Sequence, residues 1–131
     1  MSLIGFYSHT FNSHDFTADL KGNPLDPLTN PIFLKSQDRI ETEQEYEQRV
    51  KADLSQAEML IQDELGTQDK MFCFPHWRYN DTLLKIGEKV GIQYYFTDKD
   101  GLNTPGDKLV KRINAGSINV TPNKLLHKLN D

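Results

Sequence analysis

One segment of the sequence, residues 42–66, limits the possible folds more than any other. Thr42 followed by Glu45 forms a capping box, in which each side chain accepts a hydrogen bond from a backbone N–H of the first helical turn. Gly66 supplies the left-handed residue that ends such a helix. Between these ends, apolar residues recur every three or four positions and share one helical face, namely Tyr46, Val50, Leu54, Ala57, Ile61 and Leu65. The segment therefore predicts a long amphipathic helix, and other parts of the chain must cover its apolar face.

Short runs of apolar and β-branched residues on both sides of this helix predict strands. The runs are too short for helices and are bounded by turn residues such as Pro75. Strands are predicted at residues 3–7, 71–74, 92–97, 109–113 and 118–120.

Two further helices complete the pattern. One is capped by Asn80 or Asp81 and ended by Gly91, and its apolar positions are Leu83, Leu84, Ile86 and Val90. The other begins at Thr121-Pro122, with proline at the first helical position, and carries Leu125, Leu126 and Leu129. The alternation of strands and helices favours the α/β class with a parallel sheet.

Residues 14–39 interrupt this alternation. Three prolines, together with Gly22, Asn23 and Asn30, predict a long irregular loop. A loop of this length within a compact domain is usually functional or mobile.

Composition excludes several classes of protein. The net charge of −4 argues against a nucleic-acid-binding surface, which needs clustered Lys and Arg. No apolar run approaches the roughly 18 residues of a membrane span. Because Cys73 is the single cysteine, the chain forms no internal disulfide.

Two segments carry residue types suited to chemistry. His9 and His14 follow the first predicted strand, and two imidazoles on one loop can face one metal ion. Alternatively, they are two surface histidines, since a mononuclear site also needs a third ligand. Residues 72–80 place aromatic side chains and Arg78 at a strand-to-helix turn, which suits stacking against a sugar ring. The alternative is a set of core aromatics followed by a helix cap at Asn80.

Taken together, these segments resemble the polysaccharide deacetylases of carbohydrate esterase family four, the NodB-homology family. Residues 8–14 (SHTFNSH) are similar to the Ser-His-Thr-Tyr-x-x-His metal motif of the branch that deacetylates poly-N-acetylglucosamine. Residues 74–80 (FPHWRYN) resemble its Tyr-Pro-Tyr-Gly-x-Tyr-Asn motif. Weaker similarities in the same order occur at residues 22–24, 43–66, 96–101 and 111–114.

The resemblance implies an α/β fold that is part of a distorted β/α barrel of the NodB type. Residues 1–131 would form a single domain, the C-terminal portion of a deacetylase-like domain. The implied partner is an N-acetylated polysaccharide, and proteins of this family are mostly exported or at the cell surface. No targeting signal is recognisable in the chain.

The implied activity is metal-dependent hydrolysis of N-acetyl groups on an N-acetylglucosamine-type glycan. A divalent metal, usually zinc, activates water and polarises the acetamide carbonyl, with His9 and His14 as ligands. The backbone N–H of His76 would stabilise the oxyanion. The wall of the sugar groove would be formed by Pro75, Trp77 and Tyr79.

Three departures from the family pattern predict impaired activity. The Thr-Phe-Asp-Asp segment, which supplies the general base and a carboxylate ligand, does not precede His9, and the N-terminal catalytic-acid histidine is not found either. Trp77 stands where the motif has glycine. His127 resembles a late acid motif of other branches but is more simply a solvated helix residue. The remaining candidate carboxylates are more simply turn or cap residues: Asp15, Asp98 and Asp107.

These departures leave a second function open, an inactive carbohydrate-binding or vestigial deacetylase-like module. A barrel that lacks strands exposes sheet edges, and exposed edges tend to pair with another chain. We therefore expect a dimer or another homo-oligomer formed through these edges.

Overall fold

The structure is a computed structural model that describes residues 4–113 and 119–130. A three-stranded sheet and two helices that pack together form its centre. In chain order the elements are β1 (Thr17–Ala18), β2 (Pro24–Leu25), β3 (Phe33–Leu34), β4 (Arg39–Ile40), α1 (Glu43–Leu65), β5 (Met71–Cys73), α2 (Asp81–Val90), β6 (Tyr94–Asp100), β7 (Leu109–Arg112) and α3 (Pro122–Asn130).

Helix α1 confirms the prediction made from residues 42–66. The Thr42 hydroxyl accepts a hydrogen bond from the Glu45 N–H at 3.2 Å, and the Glu45 carboxylate accepts one from the Thr42 N–H at 2.8 Å. Gly66 ends the helix with a φ of 78°. The apolar face is buried in its first half, whereas Leu65 is 46% exposed, so the last turn lies outside the core.

The sheet has the order β5-β6-β7 and is parallel throughout, which confirms the predicted parallel sheet. Phe72 and Tyr95 are register partners and are both buried. The Phe74 ring, just after β5, stacks on Tyr95 with centroids 5.2 Å apart. Leu83 and Ile86 of α2 join the same core, which places α1 and α2 against one face of the sheet.

The predicted buried strand at residues 3–7 is wrong over the residues that the structure describes. Residue 3 lies outside them, and residues 4–7 form no strand and are exposed. Ser8 alone pairs with β5, through an isolated parallel bridge to Phe72. An apolar run is buried only where another element covers it, and Ile4 remains 67% exposed.

Residues 14–39, called the 14–39 loop below, contain more structure than predicted. β1 pairs with β2 and β3 with β4, in two short antiparallel hairpins. Helix α1 holds the loop from one side. The Tyr46 hydroxyl donates a hydrogen bond to the Leu28 carbonyl at 2.7 Å, and the Arg49 guanidinium donates to the carbonyls of Pro27 and Asn30 at 2.8 and 3.1 Å.

The last part of the chain agrees with prediction in its helix but not in its last strand. α3 begins after Thr121, whose hydroxyl accepts a hydrogen bond from the Lys124 N–H at 3.3 Å. Of the strand predicted at residues 118–120, residue 118 lies outside the described residues, and residues 119–120 are not in a strand.

The outer edge of β7 is partly covered by a side chain. The Asn103 amide group accepts a hydrogen bond from the Lys111 N–H at 2.7 Å and donates one to the Lys111 carbonyl at 2.9 Å. The side chain thus pairs with the backbone as a neighbouring strand would, so this edge is not open at Lys111.

Candidate functional site

The His9–His14 loop, residues 9–14, begins at the carboxyl end of β5. Ser8 forms an isolated β-bridge with Phe72 of this strand, and the ring of His9 lies at the end of the strand. The Nδ1 atom of His9 lies 2.8 Å from the Cys73 carbonyl oxygen. Because a carbonyl can only accept, Nδ1 carries the proton, and the Nε2 lone pair is left for another partner. Histidines that bind metals are commonly fixed in this way.

Three imidazole rings meet at this loop. The ring centroids of His9 and His14 are 4.9 Å apart, and those of His14 and His76 are also 4.9 Å apart. The Nε2 atom of His76 donates a hydrogen bond to the His14 carbonyl at 2.8 Å. The ring of Phe16 stacks on the ring of His76, with centroids 4.1 Å apart. The structure thus brings together the two predicted ligands and adds a third histidine.

A carboxylate on α1 holds the middle of the loop. Asp53 accepts hydrogen bonds from the backbone N–H groups of Phe11 and Asn12, at 3.0 and 2.7 Å. It also accepts one from the Ser13 hydroxyl at 2.9 Å. Asp53 lies within residues 43–66, where the sequence predicts a helix but gives this acid no partner.

The turn Pro75–Trp77 has an unusual backbone. His76 and Trp77 have φ values of 53° and 58°, in the left-handed region that glycine adopts most easily. The family motif has glycine at the second of these positions, and here a tryptophan adopts a φ value that suits glycine. The Arg112 guanidinium lies 4.2 Å from the Trp77 ring centroid and holds the ring by a cation–π contact.

The three predicted wall residues differ in exposure. Pro75 is buried and has no surface to offer a sugar. Tyr79 stacks on the core residue Phe74 at 4.8 Å and is half-buried. Trp77 is also half-buried but lies beside the exposed His76 at the turn.

A polysaccharide deacetylase family model matches residues 5–95. The chain belongs to the polysaccharide deacetylase family. This confirms the resemblance first drawn from the motifs at residues 8–14 and 74–80.

Curated relatives of this deacetylase-family chain include the poly-β-1,6-N-acetyl-D-glucosamine N-deacetylases of Escherichia coli K12 and O157:H7. Each is 27% identical over 101 residues, which make up 76% of the chain and 15% of the relative. The chain therefore spans only a small part of the length of these relatives.

Solved structures show the same relationship. A de-N-acetylase from Aggregatibacter actinomycetemcomitans is 27% identical with a TM-score of 0.74, over 82% of this chain and 41% of that one. The BpsB deacetylase domain from Bordetella bronchiseptica is 27% identical with a TM-score of 0.76, over 85% and 43%. IcaB from Ammonifex degensii, at 22% identity and a TM-score of 0.57, shares the fold over 90% of this chain and 42% of its own.

Two histidines of this deacetylase-family chain fit a metal ion. With zinc–nitrogen bonds of about 2.0–2.1 Å, two imidazole centroids on one ion lie up to roughly 6 Å apart. The separation of His9 and His14, 4.9 Å, is within that limit. Among the described residues, no group of three or more His, Cys, Asp or Glu side chains has the arrangement of a metal site. His9 and His14 are therefore a pair of histidines at a separation compatible with one ion, and no third His, Cys, Asp or Glu side chain among the described residues completes a metal site with them.

The other candidate residues lie in simpler settings. Asp15 is exposed, with an oxygen 3.5 Å from Nδ1 of His14. Asp107 accepts a hydrogen bond from the backbone N–H three residues earlier, which lowers the pKa of its carboxyl and makes it a turn residue. Asp98 and His127 are exposed, on β6 and α3 respectively. None of the helices among the described residues combines the length and apolar character that a membrane crossing requires.

Proposed function

We propose that this chain is a metal-dependent polysaccharide N-deacetylase, which hydrolyses N-acetyl groups of an N-acetylglucosamine-type glycan. One observation carries the proposal. The two histidines of the family metal motif, His9 and His14, meet the turn Pro75–Trp77 of the second motif at the end of β5. The curated relatives, which are deacetylases of such a glycan by name, supply the substrate class.

Each site residue has a role in this proposal. His9 and His14 would hold a divalent ion, zinc by preference, and His9 would bind through Nε2, the ring nitrogen that its contact with the Cys73 carbonyl leaves free. A bound ion supplies activation of water and polarisation of the acetamide carbonyl. The N–H of His76 has no protein acceptor within residues 4–113 and 119–130, and it would donate to the oxyanion.

The sugar would lie against the aromatic side of the turn. Trp77 offers its ring at the rim of the site, with Arg112 fixing its orientation. Tyr79 would add a smaller surface, and Pro75, although buried, would support the wall from behind.

The wider architecture is part of the same proposal. The parallel sheet would be a sector of a distorted β/α barrel of the NodB type within one deacetylase-like domain, as the agreement with two solved deacetylases at TM-scores of 0.74 and 0.76 supports. Export to the cell surface and homo-oligomers formed through sheet edges stay predictions. Light scattering tests the second of these, and a strict monomer would contradict it.

A second function has support from the structure, a deacetylase-like module that binds the glycan without turnover. The Trp77 ring stands where the family motif has glycine, and its bulk would narrow the proposed sugar groove. The proposed metal site would also have two protein ligands rather than three among the described residues.

Acetate release separates the two functions. The chain is incubated with N-acetylglucosamine oligomers and Zn²⁺ or Co²⁺, and released acetate and bound metal are measured. Deacetylase activity predicts slow metal-dependent release, which His9→Ala abolishes together with metal binding. His127→Ala, an exposed histidine on α3, is the matched control and should change neither.

Two results would change the assignment. Oligomer binding without acetate release, at full metal content, favours the binding module. A His9→Ala variant that retains the wild-type metal content shows that the metal site has been wrongly placed.

A further inference from the structure

We propose that Asp53 is a positioning residue, which sets the shape of the His9–His14 loop before any metal binds. This inference rests on the proposed function, since it concerns the affinity of the same metal site. It assigns a role in that site to a residue on α1 that does not itself face the ion.

The loop needs an external support because its backbone is strained. Thr10, between the two histidines, has a φ of 80°. A β-branched residue rarely adopts this conformation, and such strain persists only where surrounding contacts enforce it. Within the loop, the Thr10 hydroxyl accepts a hydrogen bond from the Ser13 N–H at 3.2 Å, which alone fixes only one end of the bend.

Asp53 supplies the enforcing contacts. Its two carboxylate oxygens accept from the N–H of Phe11 at 3.0 Å, the N–H of Asn12 at 2.7 Å and the hydroxyl of Ser13 at 2.9 Å. All three donors belong to the stretch that joins the two histidines. Hydrogen bonds to an ionised acceptor are stronger than those between neutral groups.

The burial of the Asp53 carboxylate makes its contact with Ser13 hard to replace. Asp53 is 8% exposed and Ser13 is 6% exposed, so water has little access to this contact, whereas Phe11 and Asn12 are exposed residues. Both carboxylate oxygens are already engaged by the loop, which leaves Asp53 unsuited to bind the ion directly. Its effect on the metal therefore passes through the backbone of the loop.

The histidines are tied at their own ends by other groups. His9 is held by the Cys73 carbonyl, and the carbonyl of His14 is held by the His76 ring. With the ends fixed and the middle bound to Asp53, the 4.9 Å separation of the two imidazoles is set in the metal-free chain. Loss of the carboxylate should free the middle and widen the range of separations.

Two variants and one control test this role. Asp53→Asn keeps one acceptor oxygen but turns an amide group towards the donors, and Asp53→Ala removes both oxygens. Glu45→Gln is the control, because Glu45 is also an acid of α1 that accepts a backbone N–H, yet it lies at the helix start and contacts Thr42 and Arg39.

Two measurements are needed, both made at a temperature where every variant is folded. Hydrogen exchange of the Phe11 and Asn12 amides in the metal-free chain reports the state of the loop. Chelator competition with Zn²⁺ or Co²⁺ reports metal affinity. We expect faster exchange at both amides and a 10- to 100-fold weaker affinity in the Asp53 variants, which is typical of lost supporting contacts around metal ligands.

The outcomes separate this proposal from the proposed function. Suppose that the wild type binds metal and that Asp53→Asn lowers metal affinity no more than Glu45→Gln does. Asp53 then has no positioning role. If the wild type binds no metal, the metal site of the proposed function is wrong, and the effect of Asp53 on metal affinity is overturned with it. Unchanged exchange at Phe11 and Asn12 in both Asp53 variants would overturn the loop mechanism whatever the metal does.

Discussion

Removal of one buried hydroxyl, in a Tyr46→Phe variant, should loosen the attachment of the 14–39 loop to α1. Tyr46 is 2% exposed, and its hydroxyl donates to the carbonyl of Leu28, which is 0% exposed, at 2.7 Å. Burial also raises the pKa of the Tyr46 hydroxyl, so it stays protonated and a donor at any pH near neutral. The variant leaves the Leu28 carbonyl buried without this donor, which costs about 1–2 kcal/mol.

This cost converts into a measurable shift in Tm. With an unfolding entropy of about 2.1 cal/mol/K per residue, the Tm of a chain of 131 residues falls by roughly 4–7 °C for that change in free energy. Thermal unfolding followed by circular dichroism, together with urea midpoints, measures the shift. Tyr94→Phe is the control, because Tyr94 is 38% exposed and water can solvate its hydroxyl. The reasoning fails if Tyr46→Phe melts within about 1 °C of the wild type, or if Tyr94→Phe loses as much.

Three further changes have defined outcomes. Hydrogen bonding to Arg39 lowers the pKa of Glu45 from 4.5 to about 2, so its stabilising contribution is present above pH 4.5 and lost as pH falls towards 2. Glu45→Gln should therefore have a lower urea midpoint than the wild type at pH 7, and a gap that does not shrink on acidification would contradict this. Gly87→Ala should destabilise the chain by about 1–3 kcal/mol in urea titrations, because the new Cβ would clash with the buried ring of Tyr95; equal stability would show that the ring can move aside. Burial raises the pKa of the Cys73 thiol, so iodoacetamide should modify it several-fold more slowly in the folded chain than in urea at the same pH, and equal rates would be evidence against that shift.

The parts of the fold that were predictable depend on local signals. The capping box at Thr42 and the glycine at position 66, which adopts a positive φ, are properties of a few neighbouring residues, and they set the ends of α1 correctly. The segment at residues 3–7 carries an equally clear apolar signal, yet residues 4–7 are exposed and form no strand. Hydrophobicity shows that a segment can be buried, but its burial depends on a covering element elsewhere in the chain.

The candidate site was likewise predictable from local sequence signals but not from contacts between distant residues. The five-residue spacing of His9 and His14 predicted a pair, and the structure brings the rings together. The long-range contacts that fix the pair join residues 40 or more positions apart, as in the bond from the Asn12 N–H to Asp53, and no local pattern encodes them. One signal was available, since an acid on α1 next to the apolar position Leu54 is costly to bury without partners.

Because the side chain of Asn103 covers the edge of β7 at Lys111, deamidation of Asn103 would expose that edge. Deamidation would turn the amide nitrogen that donates to the Lys111 carbonyl at 2.9 Å into a carboxylate oxygen, and two acceptors would then face each other. The side chain would leave the edge, and the backbone of β7 would become a free template for another strand. A stored sample should therefore gain one negative charge per molecule before it begins to aggregate, and Asn103→Asp would reproduce the aged protein at once.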